Sequence, residues 1–168
     1  MTMQDFNDKI LLSRQGDKES MRSLYEEYYA FVYFTALSYL KNKVVAEDLA
    51  SEIFVSLFTK EIEEVQNPKT FLYVMTANKA KNILKAKNNN NKEINLDEIS
   101  DCTASDFYSV EIGELMLQLP ELERAIFVSR IFGGYSFIEI AKTYKLSVST
   151  AKRKYKMACE YMVKHLKD

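Results

Sequence analysis

The sequence has few of the residues that break helices. Its 168 residues include 4 glycines and 2 prolines, and tryptophan is absent. An all-β protein needs many turns, which glycine and proline usually supply, so their shortage argues against that class and favours long helices. We therefore predict an all-α protein.

The residues that build catalytic and metal sites are also scarce. Cys102 and Cys159 lie far apart and have no ligand spacing, so they need not form a disulfide, which fits a reducing compartment. The one histidine, His165, has no cysteine or carboxylate at ligand spacing nearby, and we interpret it as a surface residue. No glycine-rich phosphate loop or nucleophile–base pair occurs. We predict no enzymatic activity, no metal and no cofactor.

Long hydrophobic runs are missing as well. The first ten residues lack the apolar core of a signal peptide, and no apolar run approaches the length of a membrane span. Hydrophobic residues still make up 47% of the chain, enough for the core of one domain or two small ones. We expect a cytoplasmic protein without membrane insertion.

The net charge of -1 conceals an uneven distribution. Residues 93–123 contain many carboxylates and no lysine or arginine, whereas cations dominate from Thr150 onward. Local basic patches bind phosphates even when the whole chain is nearly neutral.

Residues 133–155 have the pattern of a helix-turn-helix. Ser136 and Glu139 have the spacing of a capping box, and Ser147 can cap a second helix a few residues further on. Apolar residues at three- and four-residue steps predict the inward face of the second helix: Val148, Ala151, Tyr155, Cys159, Met162 and Leu166.

Cations fall on the other side of this second helix. Lys152, Arg153 and Lys156 lie where a recognition helix would meet the DNA major groove. The alternative is an ordinary lysine-rich surface helix.

The sequence of the N-terminal half predicts three helices before residue 60. The first spans residues 5–14, with Phe6, Ile10 and Leu11 inward, and residues 15–17 interrupt it. The second spans residues 18–40, and Asn42 is a plausible cap for the third. The inward residues predicted for the second helix are Met21, Leu24, Tyr25, Tyr28, Phe31, Val32 and Thr35. The third has two apolar rows and a polar flank formed by Glu47, Asp48, Ser51, Glu52 and Ser56.

Asn67 and Pro68 form a helix start signal, because asparagine caps and proline favours the first helical position. We predict a helix from Pro68 to about Lys87. Its predicted inward residues are Phe71, Leu72, Met75, Ile83 and Leu84. Its second half is rich in lysine and asparagine, and with nearby Phe71 and Tyr73 it suits single-stranded nucleic acid. An ordinary solvated helix end is the alternative.

Residues 88–91 are all asparagine and open an acidic segment reaching about Phe107, which we interpret as an irregular interdomain linker. Beyond it, Pro120 starts a helix that Gly133 would close in the left-handed conformation. The predicted organisation is a domain at 1–90, a linker at 91–107 and a helix-turn-helix domain at 108–168.

Two sets of segments resemble a known family. Residues 117–127 (LQLPELERAIF), 134–141 (GYSFIEIA) and 146–152 (LSVSTAK) resemble the fourth conserved region of bacterial RNA polymerase sigma factors. Residues 24–29 (LYEEYY), 46–49 (AEDL), 52–54 (EIF), 71–73 (FLY) and 77–78 (AN) resemble the second region. Two such regions joined by a short linker are similar to the extracytoplasmic-function (ECF) class.

The resemblance implies a factor that binds core RNA polymerase, directs it to specific promoters and helps melt the minus-ten element. Its implied partners are core polymerase, through the β′ clamp helices and the β flap, promoter DNA and an anti-sigma factor. The implied polymerase-binding residues are Asp48, Ser51, Glu52 and Phe54. The implied minus-ten residues are Phe71, Asn78, Lys79, Asn82 and Lys85. The implied minus-thirty-five residues are Ser149, Thr150, Lys152, Arg153 and Lys156.

The sequence departs from the family pattern at several positions. Ser51 replaces the usual glutamine, Ala151 replaces valine, and lysines and asparagines replace the arginines that usually end the promoter-melting helix. Lys145 replaces a common glycine in the turn, which predicts a strained or left-handed backbone there. Two alternatives stay open: a helix-turn-helix regulator that does not join core polymerase, and a helical adaptor.

Overall fold

The computed structural model describes residues 1–90 and 112–166, and every regular element in these two stretches is a helix. The chain divides into two compact units, Met1–Lys81 and Asn82–Asp168. These findings confirm the all-α, two-domain prediction. The predicted linker at 91–107, with Cys102, lies outside the described residues, and the predicted domain boundaries stay a prediction.

Four helices precede residue 91: α1 (Met3–Arg14), α2 (Lys18–Leu40), α3 (Lys43–Thr59) and α4 (Pro68–Asn90). The described part of α5 spans residues 112–118. It is followed by α6 (Glu121–Ile131), α7 (Phe137–Tyr144) and α8 (Val148–His165). Within the described residues, no helix is long and apolar enough to cross a membrane.

Side-chain caps set the starts of the N-terminal helices. The carboxylate of Asp17 accepts a hydrogen bond of 2.9 Å from the Ser20 N–H, and the side chain of Asn42 accepts one of 3.0 Å from Val45. Asn67 caps α4 by accepting 3.0 Å from the Thr70 N–H. The predicted break at 15–17, the predicted cap at Asn42 and the predicted start at Pro68 are therefore confirmed. Each cap satisfies a donor that the helix itself cannot.

The core of the first unit lies where α1, α2 and α3 meet, with Phe6 packed edge-on against Tyr28 at 5.4 Å between ring centroids. Its fully buried side chains include Phe6, Leu24, Phe31, Leu37, Leu49, Ile53 and Leu57. Burial of one such leucine or phenylalanine contributes about 1.5–3 kcal/mol.

Three predicted faces need correction. Leu11 is 56% exposed, because α1 turns only the row of Phe6, Ile10 and Ser13 inward. Tyr25 was predicted inward and is 41% exposed. Ser56 was predicted on the polar flank and is buried, because the buried face of α3 is wide enough to include it.

Helix α4 packs mainly through small side chains. Of its predicted inward residues only Leu72 is fully buried, whereas Thr76 and Ala80 share its side of the helix and are also fully buried. The Thr76 hydroxyl donates 2.7 Å to the Leu72 carbonyl, which satisfies it in the core. Helix α4 continues to Asn90, so the prediction that residues 88–90 are irregular was wrong.

In the second unit, α8 packs against α6 and α7. Its buried residues are Ala151, Ala158 and Met162, while Val148 and Leu166 are 38% and 39% exposed. The buried face of α8 is therefore rotated about the helix axis relative to the predicted one. Ala151, Ala158 and Met162 define the true seam, and Cys159 lies at its edge, half-buried.

The end of α6 also differs from its prediction. The left-handed glycine is Gly134, with φ 62°, and not Gly133. The Gly133 N–H still donates 3.1 Å to the Val128 carbonyl, so the chain follows the helix for one more residue before it turns.

Candidate nucleic-acid interface

A tight turn joins α7 to α8. The Ser136 hydroxyl accepts 3.2 Å from the Glu139 N–H, and the Glu139 carboxylate accepts 2.7 Å from the Ser136 N–H, which confirms the capping box. Lys145 adopts the left-handed conformation, with φ 55° and ψ 48°, as the missing glycine predicted. Ser147 then caps α8 by accepting 3.1 Å from the Thr150 N–H. Three residues thus separate the two helices, as in a helix-turn-helix.

One face of α8 is exposed and cationic. Ser149, Lys152, Arg153 and Lys156 are exposed and lie at three- and four-residue steps, which brings them to one side of the helix. Thr150 is half-buried, and its hydroxyl accepts 2.8 Å from the Ser147 hydroxyl. Four of the five predicted minus-thirty-five residues therefore form one surface, and Thr150 takes part in the cap.

Lys154 lies among these cations but turns away from them. Its ammonium donates 2.7 Å to the Glu123 carboxylate of α6, which is nearly buried. This hydrogen bond holds the pKa of Glu123 below its ordinary value. Lys154 thus fastens α8 to α6, a role that sequence spacing did not indicate.

Two arginines donate hydrogen bonds to backbone carbonyls in the segments before α7. The guanidinium of Arg124 is buried, which lowers its pKa, and donates 3.2 Å to the Leu117 carbonyl and 3.3 Å to the Leu119 carbonyl. Arg130 donates 2.7 Å to the Tyr135 carbonyl and lies 4.8 Å from the centroid of the Phe137 ring. These arginines support the backbone that carries the helix-turn-helix.

Helix α4 has an exposed face that is apolar in the N-terminal half of the helix and polar in the C-terminal half. Asn78, Asn82 and Lys85 are exposed and follow Phe71, which is half-buried, at steps that keep all four on one side. Val74 lies on the same side and is 47% exposed. Val74 was not among the residues that the sequence indicated for this face.

Other polar residues of α4 have partners within the first unit. Lys79, the fifth predicted minus-ten residue, forms an ion pair with Glu52 of α3. Tyr73 shares a hydrogen bond of 3.0 Å with the Tyr39 hydroxyl, and Lys81 lies 5.6 Å from the centroid of the Tyr39 ring.

The predicted polymerase-binding residues lie on α3. Asp48, Ser51 and Glu52 are exposed on one side, together with Val55, which is 59% exposed. Phe54 is only 3% exposed and packs 4.9 Å from the Tyr25 ring, between centroids. Phe54 is therefore a core residue beneath this surface rather than part of it.

Comparison with known families gives two matches along the chain. Residues 24–89 match sigma-70 region 2, and residues 109–162 match sigma-70 region 4. Together they cover most of the chain. The chain belongs to the sigma-70 family.

This sigma factor is accordingly a DNA-binding transcription initiation factor, and its family directs RNA polymerase to promoters. Region 2 includes the exposed faces of α3 and α4, and region 4 includes the cationic face of α8. Helix α1 lies outside both matches. No curated protein matches the chain.

Proposed function

We propose that this sigma factor is of the extracytoplasmic-function class and acts in the cytoplasm on core polymerase. The first match ends at residue 89 and the second begins at residue 109, so regions 2 and 4 follow each other closely. In this assignment α3 contacts the β′ clamp helices, α4 holds the melted minus-ten strand, and α8 reads the minus-thirty-five duplex.

The chemistry of each exposed face supports its assigned target. On α8, Lys152 and Arg153 project from a helix narrow enough for the major groove. On α4, the ring of Phe71 offers a stacking surface, and Lys85 offers a charge for the phosphates of an unpaired strand. Duplex and single strand thus meet different surfaces suited to their different shapes.

The exposed face of α3 supports the polymerase contact. Asp48 and Glu52 give it negative charge, and Val55 adds an exposed apolar side chain. Phe54 supports this face from below by packing against Tyr25 and Tyr29. A DNA-binding helix-turn-helix protein that never joined polymerase would not need such a second acidic and apolar surface.

The observation that carries the proposal is the presence of this acidic α3 face and the cationic α8 face in one chain. The test is binding of purified core polymerase at near-physiological salt, with Ser51→Arg as the disrupting variant and Ser23→Arg on α2 as its control. We expect the parent chain and Ser23→Arg to bind, and Ser51→Arg to lose binding. If the parent chain binds duplex DNA but not core polymerase, the regulator alternative holds instead.

A covering anti-sigma factor also belongs to this proposal. A partner that covered α3 and α8 together would block polymerase and duplex binding at once. Co-purification of the intact chain from its native cells would identify such a partner, and its addition should release core polymerase from the sigma factor.

A further inference from the structure

Asn7 of α1 pairs with the backbone of Val65, which lies in the segment between α3 and α4. The side-chain nitrogen of Asn7 donates 3.0 Å to the Val65 carbonyl, and the Val65 N–H donates 2.9 Å to the side-chain oxygen of Asn7. One amide side chain therefore satisfies both backbone groups of one residue. The two residues are separated by 58 positions in the sequence.

Val65 anchors a segment that is otherwise turned toward solvent. It is 5% exposed, whereas Glu61, Glu63 and Glu64 beside it are exposed carboxylates. A buried backbone group without a hydrogen-bond partner is costly, so the Asn7 amide favours one position of Val65 over others. The position of Val65 in turn limits where these three negative charges can lie.

The same segment leads directly into α4. Asn67, two residues after Val65, caps α4 through the Thr70 N–H at 3.0 Å, and its carbonyl accepts 2.9 Å from the Phe71 N–H. The chain therefore runs from the Asn7 pairing to the aromatic residue of the proposed single-strand surface within six residues of Val65.

Helix α1 is well placed to hold this pairing fixed. Phe6, next to Asn7, is fully buried and packs 5.4 Å from the Tyr28 ring, between centroids. Ile10, one turn further, is 4% exposed. Asn7 therefore projects from a helix that is itself anchored on α2.

We propose that Asn7 is a positioning residue for capture of the minus-ten strand: it holds residues 60–67, and through them the start of α4, in the place that admits this strand. This inference rests on the proposed function of α4. Phosphates are repelled by the three glutamates and attracted by the lysines of α4, so the path of the strand depends on where the segment is held. Helix α1, outside the region 2 match, thereby becomes part of the minus-ten machinery.

The test is run-off transcription with core polymerase on a promoter selected by the parent chain, and on versions with single base changes in the minus-ten element. Asn7→Ala should reduce the ratio of cognate to changed-promoter rates by about tenfold, the size expected when one base contact is lost. Affinity for core polymerase should change less than twofold, because α3 is untouched. On a template already unpaired at the minus-ten element, the loss of discrimination should remain, because Asn7 acts on strand placement rather than on duplex stability.

Two further variants separate positioning from stability. Ile10→Val removes one buried methyl group from the same helix and should lower the melting temperature while preserving discrimination. Asn7→Asp keeps an acceptor for the Val65 N–H but cannot donate to its carbonyl, so it should give an intermediate loss; it also carries the test if Asn7→Ala does not fold. Unchanged discrimination in both Asn7 variants, or an equal loss in Ile10→Val, would overturn the inference. Absence of transcription with the parent chain would instead overturn the proposed function, and this inference with it.

Discussion

The Lys79 ammonium of α4 forms an ion pair with the Glu52 carboxylate of α3. The pair joins a residue of the proposed minus-ten surface to a residue of the proposed polymerase surface. Glu52 is more than half exposed, and an exposed ion pair contributes about 0–1 kcal/mol to stability. Either residue can therefore exchange the other for a new partner at little cost. Polymerase binding to Glu52 would free Lys79 for phosphate.

This relationship predicts that Glu52→Gln tightens binding of a single-stranded minus-ten oligonucleotide by the free protein, by about two- to fivefold. The substitution removes the carboxylate that competes with phosphate for Lys79. It also removes a negative charge that repels phosphate, and the interaction between two such charges is about 1 kcal/mol at close range in water. Fluorescence anisotropy at low salt would measure it. Glu19→Gln, which changes the net charge equally at the start of α2, is the control; an equal gain there would contradict the explanation.

The cationic face of α8 predicts a loss of minus-thirty-five discrimination in Lys152→Ala combined with Arg153→Ala. Each good base contact contributes about 1–3 kcal/mol to discrimination, so the double variant should lose at least about tenfold. Competition binding with duplexes that differ in the minus-thirty-five element checks this, with core polymerase affinity unchanged. Lys18→Ala with Arg22→Ala removes the same charge from the exposed side of α2 and should leave minus-thirty-five discrimination intact. If the α8 variant retained minus-thirty-five discrimination, α8 would not be the helix that reads this element.

The Glu123–Lys154 pair predicts a stability change that depends on pH. Lys154→Met should cost about 1–3 kcal/mol, because a nearly buried carboxylate loses its donor. Lys156→Met, on the exposed side of the same helix, should cost less than about 0.5 kcal/mol. Urea unfolding at pH 7 of the full chain would distinguish the two.

The direction of the pH effect follows from the lowered pKa of Glu123. The stabilisation is present above the ordinary value of 4.5 and is lost as pH falls through the lower pKa of the folded state. The cost of Lys154→Met should therefore shrink as the pH is lowered from 7 to 4. A cost that grows on acidification would contradict the assigned hydrogen bond.

The left-handed backbone of Lys145 predicts that Lys145→Gly stabilises the second unit. A residue with a Cβ atom is strained in this conformation by about 1–2 kcal/mol, and the greater freedom of glycine in the unfolded chain offsets part of the gain. We expect a net gain of about 0.5–1 kcal/mol by thermal unfolding. Lys142→Gly, inside α7, should instead lose about 1 kcal/mol. A destabilised Lys145→Gly variant would show that the strain is relieved in another way.

The sequence predicted those features of the fold that depend on residues close together in the chain. The caps at Asn42, Asn67, Ser136 and Ser147 act within three residues, and a three-residue rule identifies each of them. The left-handed backbone of Lys145 was also predicted, from the glycine that the family commonly has at this position.

Predictions failed where tertiary packing decides between adjacent residues. Ala158 and Cys159 are both plausible inward residues at helical spacing, and only the packing of α8 against the rest of the second unit selects Ala158. The Asn7–Val65 pairing lies beyond any local rule, because 58 positions separate its two members.

The central claim is that this chain directs core polymerase to promoters through two separate DNA surfaces. Run-off transcription from a promoter library randomised at both elements tests it most directly, with core polymerase alone as the background. We predict transcripts above that background and two separate blocks of selected bases, of which Lys152→Ala with Arg153→Ala erases only the upstream one. Transcription no greater than with core polymerase alone, or loss of the downstream block in that variant, would contradict the account.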